Sequence, residues 1–406
     1  MTRSRVSIVK GSDLKDRIFC AADLVGGVEK AVGKGDIVLV KPNLVDGSPA
    51  ETGETTHPEA LSAVVEMAYR AGAKEVVVGE SPPGNIELVR KAVEAAGGKI
   101  LNFDDEPYDE VSVHNPVFFP KLRVARSILE CDTFISVPTL KVNQATGLTV
   151  SFKNIYGVIP KEDKLRYHAL DRIEEVIVDL NLARAPDLTI VDGSYSTIHW
   201  GPRKIFPETH RMDLAIAGFD PVAVDSVSAK VIGVEPETLR FLEWASDRGL
   251  GVSDLNEIEV SGVPTSEAYA KTTTMTEYVN RFNKHVKVID EGSCSGCFGR
   301  IPGMILWNIR DNAMTEGVYV LIGKKAQPPA EAKNVIVCGD CAVRNLNTNI
   351  RPMLVIEGCP PPFAPLRRKL IHLGGRRPGP REFPDGGYHP DRVKTKDLKP
   401  VEPKKP

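Results

Sequence analysis

The apolar positions of this chain come in two alternating rhythms. Short continuous runs of Val, Ile and Leu occur at Asp36–Val40, Glu75–Val78, Lys99–Phe103, Thr133–Val137, Asp187–Val191 and Met212–Ala217. Their length and β-branched content are those of buried strands. Between them lie stretches with apolar residues three and four apart. His57–Gly72 places Leu61, Val64, Val65, Met67 and Ala68 on one side, Asn85–Ala96 stops at Gly97-Gly98, and Leu170–Leu182 aligns Ile173, Val176, Ile177 and Leu180. These read as helices, and a further helix carrying Asp225 is expected after Asp220-Pro221. The alternation predicts an α/β fold with a parallel, helix-covered sheet.

The last third of the chain has a different punctuation. His285–Asp290, Asn334–Val337 and Met353–Ile356 read as three more buried strands, and each is followed by cysteine: Cys294-Ser-Gly-Cys297, Cys338-Gly-Asp-Cys341 and Cys359. If the three are parallel neighbours, the thiols emerge together at the C-terminal edge of one sheet. Thr272–Asn283 reads as a linker helix. Phe298–Asp311 reads as a helix broken near Pro302-Gly303, with Ile301, Met304, Ile305, Leu306 and Trp307 available either to pack on the first domain or to cover the small sheet. The expected organisation is an α/β domain over 1–285, a smaller cysteine-bearing α/β module over 286–372, and a tail over 373–406. The tail is rich in Gly, Pro, Arg and Lys, has too few apolar residues to pack, and is expected to be flexible.

Composition narrows the function classes. A net charge of −2 over 406 residues leaves no electrostatic footprint for nucleic acid or an anionic membrane. No apolar run has the length of a membrane span, and the N-terminus lacks the apolar core of a signal peptide. A cytoplasmic protein is expected. In a reducing compartment clustered cysteines indicate metal or redox chemistry. A [4Fe–4S] cluster on four of Cys294, Cys297, Cys338, Cys341 and Cys359 is the leading reading. Zinc is the alternative, because two Cys-x-x-Cys pairs are also the spacing of a four-cysteine zinc site, and a dithiol switch is the third. The pairs lie at strand–helix junctions and Cys359 precedes proline, as in ferredoxin ligands, which favours iron–sulfur. Cys20 and Cys131 stand alone and are expected in or near the core.

A second constellation sits at the strand ends of the first domain, the edge where open parallel sheets bind ligands. His57, His168, Lys153 and Asp192 are the candidate catalytic residues. Lys41, Asn43, Lys141, Asn154, Asp220 and Asp225 are the candidate substrate-binding residues. The lysines could neutralise a carboxylate or phosphate, the histidines titrate near neutrality, and the aspartates could hold a cation or orient the histidines. Each also has a structural reading: Thr56-His57-Pro58 is a good helix start, Asp192-Gly193 a turn, and Asp225 a helix-surface charge. No dinucleotide fingerprint, Walker loop or Gly-x-Ser-x-Gly elbow is present.

Six segments together resemble a known family: Lys41-Pro-Asn43, Thr55-Thr-His-Pro58, Gly79-Glu-Ser81, Ser151-Phe-Lys-Asn-Ile-Tyr-Gly157, Asp187-Leu-Thr-Ile-Val-Asp-Gly193 and Ala217-Gly-Phe-Asp-Pro-Val-Ala-Val-Asp225. In their order over residues 35–260 they are similar to the signature of the domain of unknown function 362 family. That resemblance implies an appended iron–sulfur module, although the compact bacterial ferredoxin cysteine run is absent here. The expected function is an iron–sulfur redox protein or enzyme acting on a small anionic substrate or cofactor precursor. No flavin or nicotinamide motif is visible, so an external electron donor such as a ferredoxin is expected, with self-association left open. The alternatives are a non-catalytic metal or cluster assembly or scaffold protein, and a racemase-like isomerase of hydroxy acids.

Overall fold

The computed structural model describes residues 4–45, 48–81, 85–197, 209–308, 317–347 and 349–373. Eight strands form one sheet: β1 (Ser4–Lys10), β2 (Ile37–Pro42), β3 (Glu75–Glu80), β4 (Lys99–Asn102), β5 (Thr133–Val137), β6 (Leu188–Ser196), β7 (His210–Gly218) and β8 (Ile258–Gly262). Their order is β8-β1-β7-β6-β5-β2-β3-β4. Every pairing is parallel except the two made by β7.

The central strands are buried on both faces, which explains their unbroken apolar runs. Val38 and Val40 of β2 pack on one side with Ile18, Leu61 and Val64 of the helices Leu14–Leu24 and Pro58–Arg70. Leu39 faces the other side with Phe134, Val176 and Val224, the last two from Ile173–Arg184 and Pro221–Val231. From β2 the chain proceeds outward to β3 and β4, whereas β5 and β6 lie on its other flank. The strand order therefore reverses between β2 and β5, which opens a crevice at their carboxyl ends.

A second sheet is built from β9 (Val286–Asp290), β10 (Val318–Ile322), β11 (Val335–Cys338) and β12 (Leu354–Ile356), in that order and all parallel. The three cysteine-flanked strands are thus not all neighbours. β10 has the same branched apolar sequence but leads to no cysteine, and it inserts between β9 and β11. Two strand spacings, about 10 Å, separate β9 from β11. The loop after β9 crosses this gap because β10 ends in Gly323. A Cβ there would stand 2.3 Å from the Glu291 carbonyl oxygen and 2.6 Å from the Ser293 nitrogen, and its φ of +98° favours glycine.

The helical expectations need two corrections. The break after the first cysteine pair falls at Gly299, between Ser295–Phe298 and Arg300–Asn308. Pro302 occupies the first turn of the second helix, where its missing N–H costs nothing. Residues 309–311 of that expected helix, and the tail from 374, lie outside the described residues. Met275–Phe282 belongs with the second sheet rather than linking to it: the Asn280 side chain donates to the Val288 carbonyl at 2.9 Å and accepts from its N–H at 2.8 Å. Cys20 is exposed on the outer face of Leu14–Leu24, whereas Cys131 packs at the edge of the core as expected. Among the described residues no helix is long and apolar enough to cross a membrane.

Candidate functional site: a lysine crevice beside a cysteine-bearing sheet

The crevice is built from the ends of β2, β3 and β5 and from the segment that carries Ser151–Gly157. Lys41 ends β2 and is 1% exposed. Its Nζ lies 2.8 Å from Glu80 Oε2 at the end of the adjacent parallel strand β3, and donates to the Pro42 carbonyl at 2.8 Å. Burial lowers the Lys41 pKa and Glu80 opposes that shift. Asn154 donates through Nδ2 to the Lys41 carbonyl and to Ser136 Oγ, both at 3.0 Å, which locks the segment to β2 and β5. Gly157 lies against the pair: a Cβ there would be 2.5 Å from both Lys41 Nζ and Glu80 Oε1. The expectation that Lys41 meets a ligand directly is therefore corrected, since its ammonium is enclosed and matched.

Three further amines converge on the pair. Lys141 Nζ donates to Asn43 Oδ1 at 2.6 Å and to the Glu54 carbonyl at 2.7 Å, and Asn43 Oδ1 also accepts from Thr139. Asn43 is thus a holder of Lys141. Lys164, in the helix Lys161–Leu170, donates to Ser81 Oγ, which donates on to the Gly157 carbonyl. Lys153 is half-buried, with its Nζ 4.3 Å from the centre of the Tyr156 ring. Burial depresses all three, Lys141 and Lys164 to about 8 and Lys153 to about 7. In Lys153 the neighbouring Lys141, Lys164 and Lys41 add to burial. Four lysine amines thus share one region, with Glu80, Glu54 and Asp104 as the carboxylates acting on them.

His168 stands edge-on to Tyr156, with ring centres 5.5 Å apart. His168 is exposed as a residue. Desolvation lowers its pKa, and the neighbouring Lys153 and Arg300 act in the same direction. The shift favours the neutral ring at pH 7.

The aspartates have other work. Asp192 is 3% exposed, on the same sheet edge as Lys41, and accepts from the His57 N–H at 2.7 Å and from the Ser194 N–H and hydroxyl. It fastens the β6 end to the start of Pro58–Arg70, where His57 is the N-cap and its Nδ1 accepts from Glu59 N. Asp220 does not join the crevice. Because β7 runs antiparallel, its end lies beside the strand starts, where Asp220 caps Pro221–Val231 and accepts from Ser4 Oγ at 2.6 Å. Asp225 is fully buried rather than a surface charge, and accepts from the backbone N–H groups of Ser151 and Phe152 at 2.7 and 3.1 Å. It positions Lys153 and Asn154 without reaching the crevice.

Burial pushes the Asp225 carboxyl up from 3.8 to about 8, against those two N–H groups. Its folded value lies above its unfolded one, so the folded state binds the proton more tightly. The stability linked to it is fully present below 3.8 and is lost as pH rises through about 8. Asp225→Asn is expected to flatten the fall in unfolding free energy between about pH 4 and pH 8 relative to wild type, measured by urea titration. An unchanged slope would mean that Asp225 is ionised and fully compensated in the fold.

The thiols gather at the C-terminal edge of the second sheet. Cys294 precedes the helix Ser295–Phe298, Cys338 ends β11, Cys341 lies in Asp340–Asn345, and Cys359 follows β12. Cys297 lies at their centre: burial raises its pKa, and electrostatic coupling to Cys294, Cys341, Cys338 and Cys359 adds to it. Its Sγ stands 3.5 Å from where a Gly339 Cβ would be, and Gly339 has a φ of +94°. Burial also raises the Cys338 thiol to about 12. Among the described residues no three Cys, His, Asp or Glu side chains are grouped closely enough to hold one metal ion.

The two regions touch. Phe298, next to Cys297, packs on Gly147, in the tight ribbon whose first strand starts at Lys141: the ring lies 2.8 Å from where a Gly147 Cβ would stand. Arg300 pairs with Asp171, just beyond the helix carrying Lys164 and His168. Ser295 donates to Glu174, which also holds Arg240, and Arg240 Nη1 reaches Cys359 Sγ at 3.6 Å. Sequence reasoning singled out neither Lys164, Glu174, Arg240 nor Arg300.

Fold and site together define a parallel α/β protein with a basic crevice at its strand switch, abutted by a small cysteine-bearing sheet. Residues 38–230 match the model of the family described as Domain of unknown function (DUF362). The chain is 28% identical over 246 residues to the thylakoid-associated protein sll1697 of Synechocystis sp., covering 56% of this chain and 72% of that one. It also overlaps the lactate racemase apoprotein of Thermoanaerobacterium thermosaccharolyticum with a TM-score of 0.33 and 13% identity, over 46% of this chain and half of that chain's length. An overlap of that extent carries no argument about activity.

Proposed function

We propose that the protein is an iron–sulfur redox protein that acts on a small anion in the lysine crevice, with electrons supplied by an external donor. The observation that carries this reading is the contact between the regions: of the residues that follow Cys297, Phe298 packs on Gly147 in the ribbon that begins at Lys141, and Arg300 acts electrostatically on His168. The donor set fits a cluster. All five candidate ligands are soft thiols, and burial disfavours thiolates at Cys297 and Cys338 unless a cation compensates them. A four-iron cluster takes one thiolate at each of four irons, so its ligands stand further apart than those around a single zinc. A cluster held there supplies single electrons. Lys141 and Lys164 bind the anion, and Arg240 presents an N–H to Cys359.

The test is anaerobic purification followed by iron and acid-labile sulfide analysis and electron paramagnetic resonance of the reduced protein. Wild type is expected to contain both elements, and Cys294→Ser/Cys338→Ser to lose most of them, because serine is a hard, poor ligand for iron–sulfur. Iron unchanged in the double variant would overturn the assignment. A colourless protein with stoichiometric zinc would instead support a structural or delivery role.

A further inference from the structure

Of the four amines in the crevice, Lys153 differs from the rest. Lys41 has Glu80 and a carbonyl, Lys141 has Asn43 and a carbonyl, and Lys164 has Ser81. Among the described residues Lys153 Nζ makes no hydrogen bond or ion pair, and its close neighbour is the face of Tyr156. The charged groups acting directly on it are Lys141, Lys164 and Lys41, all cationic; the carboxylates Glu80, Glu54 and Asp104 act on those lysines, and Glu80 is engaged by Lys41. The short helix Ser151–Asn154 holds it in place through Asp225 and the Asn154 clamp.

We propose that Lys153 is an amine nucleophile that forms an imine with a small anion bearing an aldehyde or ketone carbonyl. A lysine turned into a nucleophile needs a free lone pair at neutral pH, and enzymes obtain one by desolvation beside other cations. Both conditions are present here, and the amine is lowered to about 7. The neighbouring ammonium groups would hold the anion's carboxylate or phosphate with its carbonyl near Nζ. In the step the nitrogen lone pair attacks the carbonyl carbon, and the oxygen takes up a proton to give a carbinolamine. With one proton given up by nitrogen at that stage, the hydroxyl takes up a second proton and departs as water while the nitrogen lone pair forms the C=N bond, and the resulting iminium releases its last N–H proton to solvent. No oxidant or reductant is consumed. The inference rests on the anion-binding half of the proposed function and is independent of the cysteines.

The experiment uses the full-length protein with glyoxylate and cyanoborohydride at pH 7, which reduces an imine to a stable carboxymethyl adduct. Peptide mapping by mass spectrometry is expected to find the adduct at Lys153 in excess over exposed lysines such as Lys121. Lys153→Arg, which keeps the cation, is expected to lose that adduct while keeping its melting temperature. Binding of glycolate, the same anion without a carbonyl, is measured in parallel by calorimetry. Glycolate binding with no adduct at Lys153 would overturn this inference and leave the anion site standing. No glycolate binding and no adduct would remove both. An adduct spread evenly over exposed lysines would also overturn it.

Discussion

Lys41→Met is expected to destabilise the protein by about 3–5 kcal/mol, the usual cost of removing one partner of a buried ion pair. The Glu80 carboxylate is 4% exposed, and its remaining partners are the N–H groups of Leu44 and Ser81. Without the ammonium it must either keep a charge in a desolvated site or take up a proton. Glu80→Gln is expected to cost a similar amount from the other side, because the Lys41 ammonium then faces only the Pro42 carbonyl and an amide. The double variant Lys41→Met/Glu80→Gln removes both charges and is expected to recover most of the loss. Denaturant unfolding of the four proteins measures the coupling. If the two single losses simply add in the double variant, the pair contributes no mutual stabilisation and the enclosed-pair account fails. The result also separates scaffold from site: the double variant keeps Lys141, Lys153 and Lys164, so anion binding should survive it.

Much of this arrangement was legible in the sequence, for identifiable reasons. Strands β2, β3, β5 and β6 are buried on both faces, so their apolar runs are continuous and their ends could be located within a few residues. That Lys41 pairs with Glu80 was within reach too, because consecutive parallel strands place their final residues side by side. β1 and β8 were not recognised. Ser4–Lys10 is interrupted by polar residues, and Ile258–Gly262 is an edge strand with one buried position. The reversed direction of β7 was not legible because a strand's own sequence does not encode its direction. That one reversal carries Asp220 away from the crevice. Lys164 was missed because Lys161–Leu170 has little amphipathic pattern and exposes Leu165 and Leu170. The cysteines were found because thiols at fixed spacing are rare, but nothing in the spacing revealed that β10 divides them.

Glu174 and Arg240 illustrate a different gap. By pattern each is an ordinary charge on a helix, yet in the fold they are 1% and 11% exposed, with Ser295 of the cysteine-bearing region bonded to both residues. Burial raises the Glu174 pKa despite its contacts with Arg240 and Ser295. Arg240→Ala is expected to cost about 3–5 kcal/mol, since Glu174 is left with the Ser295 hydroxyl alone. The effect should be local to the cysteine edge, because Ser295 follows Cys294 and Arg240 touches Cys359. Alkylation of the reduced protein by iodoacetamide should therefore speed up at Cys294 in Arg240→Ala. The isolated Cys131, which lies at the edge of the main core, should be unaffected. Glu174→Gln/Arg240→Met should restore most of the stability and slow Cys294 alkylation again, because no unpaired charge remains in the contact. Equal acceleration at Cys294 and Cys131 would indicate general loosening and would count against a joint centred on this pair. Stability left unchanged by Arg240→Ala would show that the carboxyl of Glu174 is already protonated, with Ser295 sufficient to hold it.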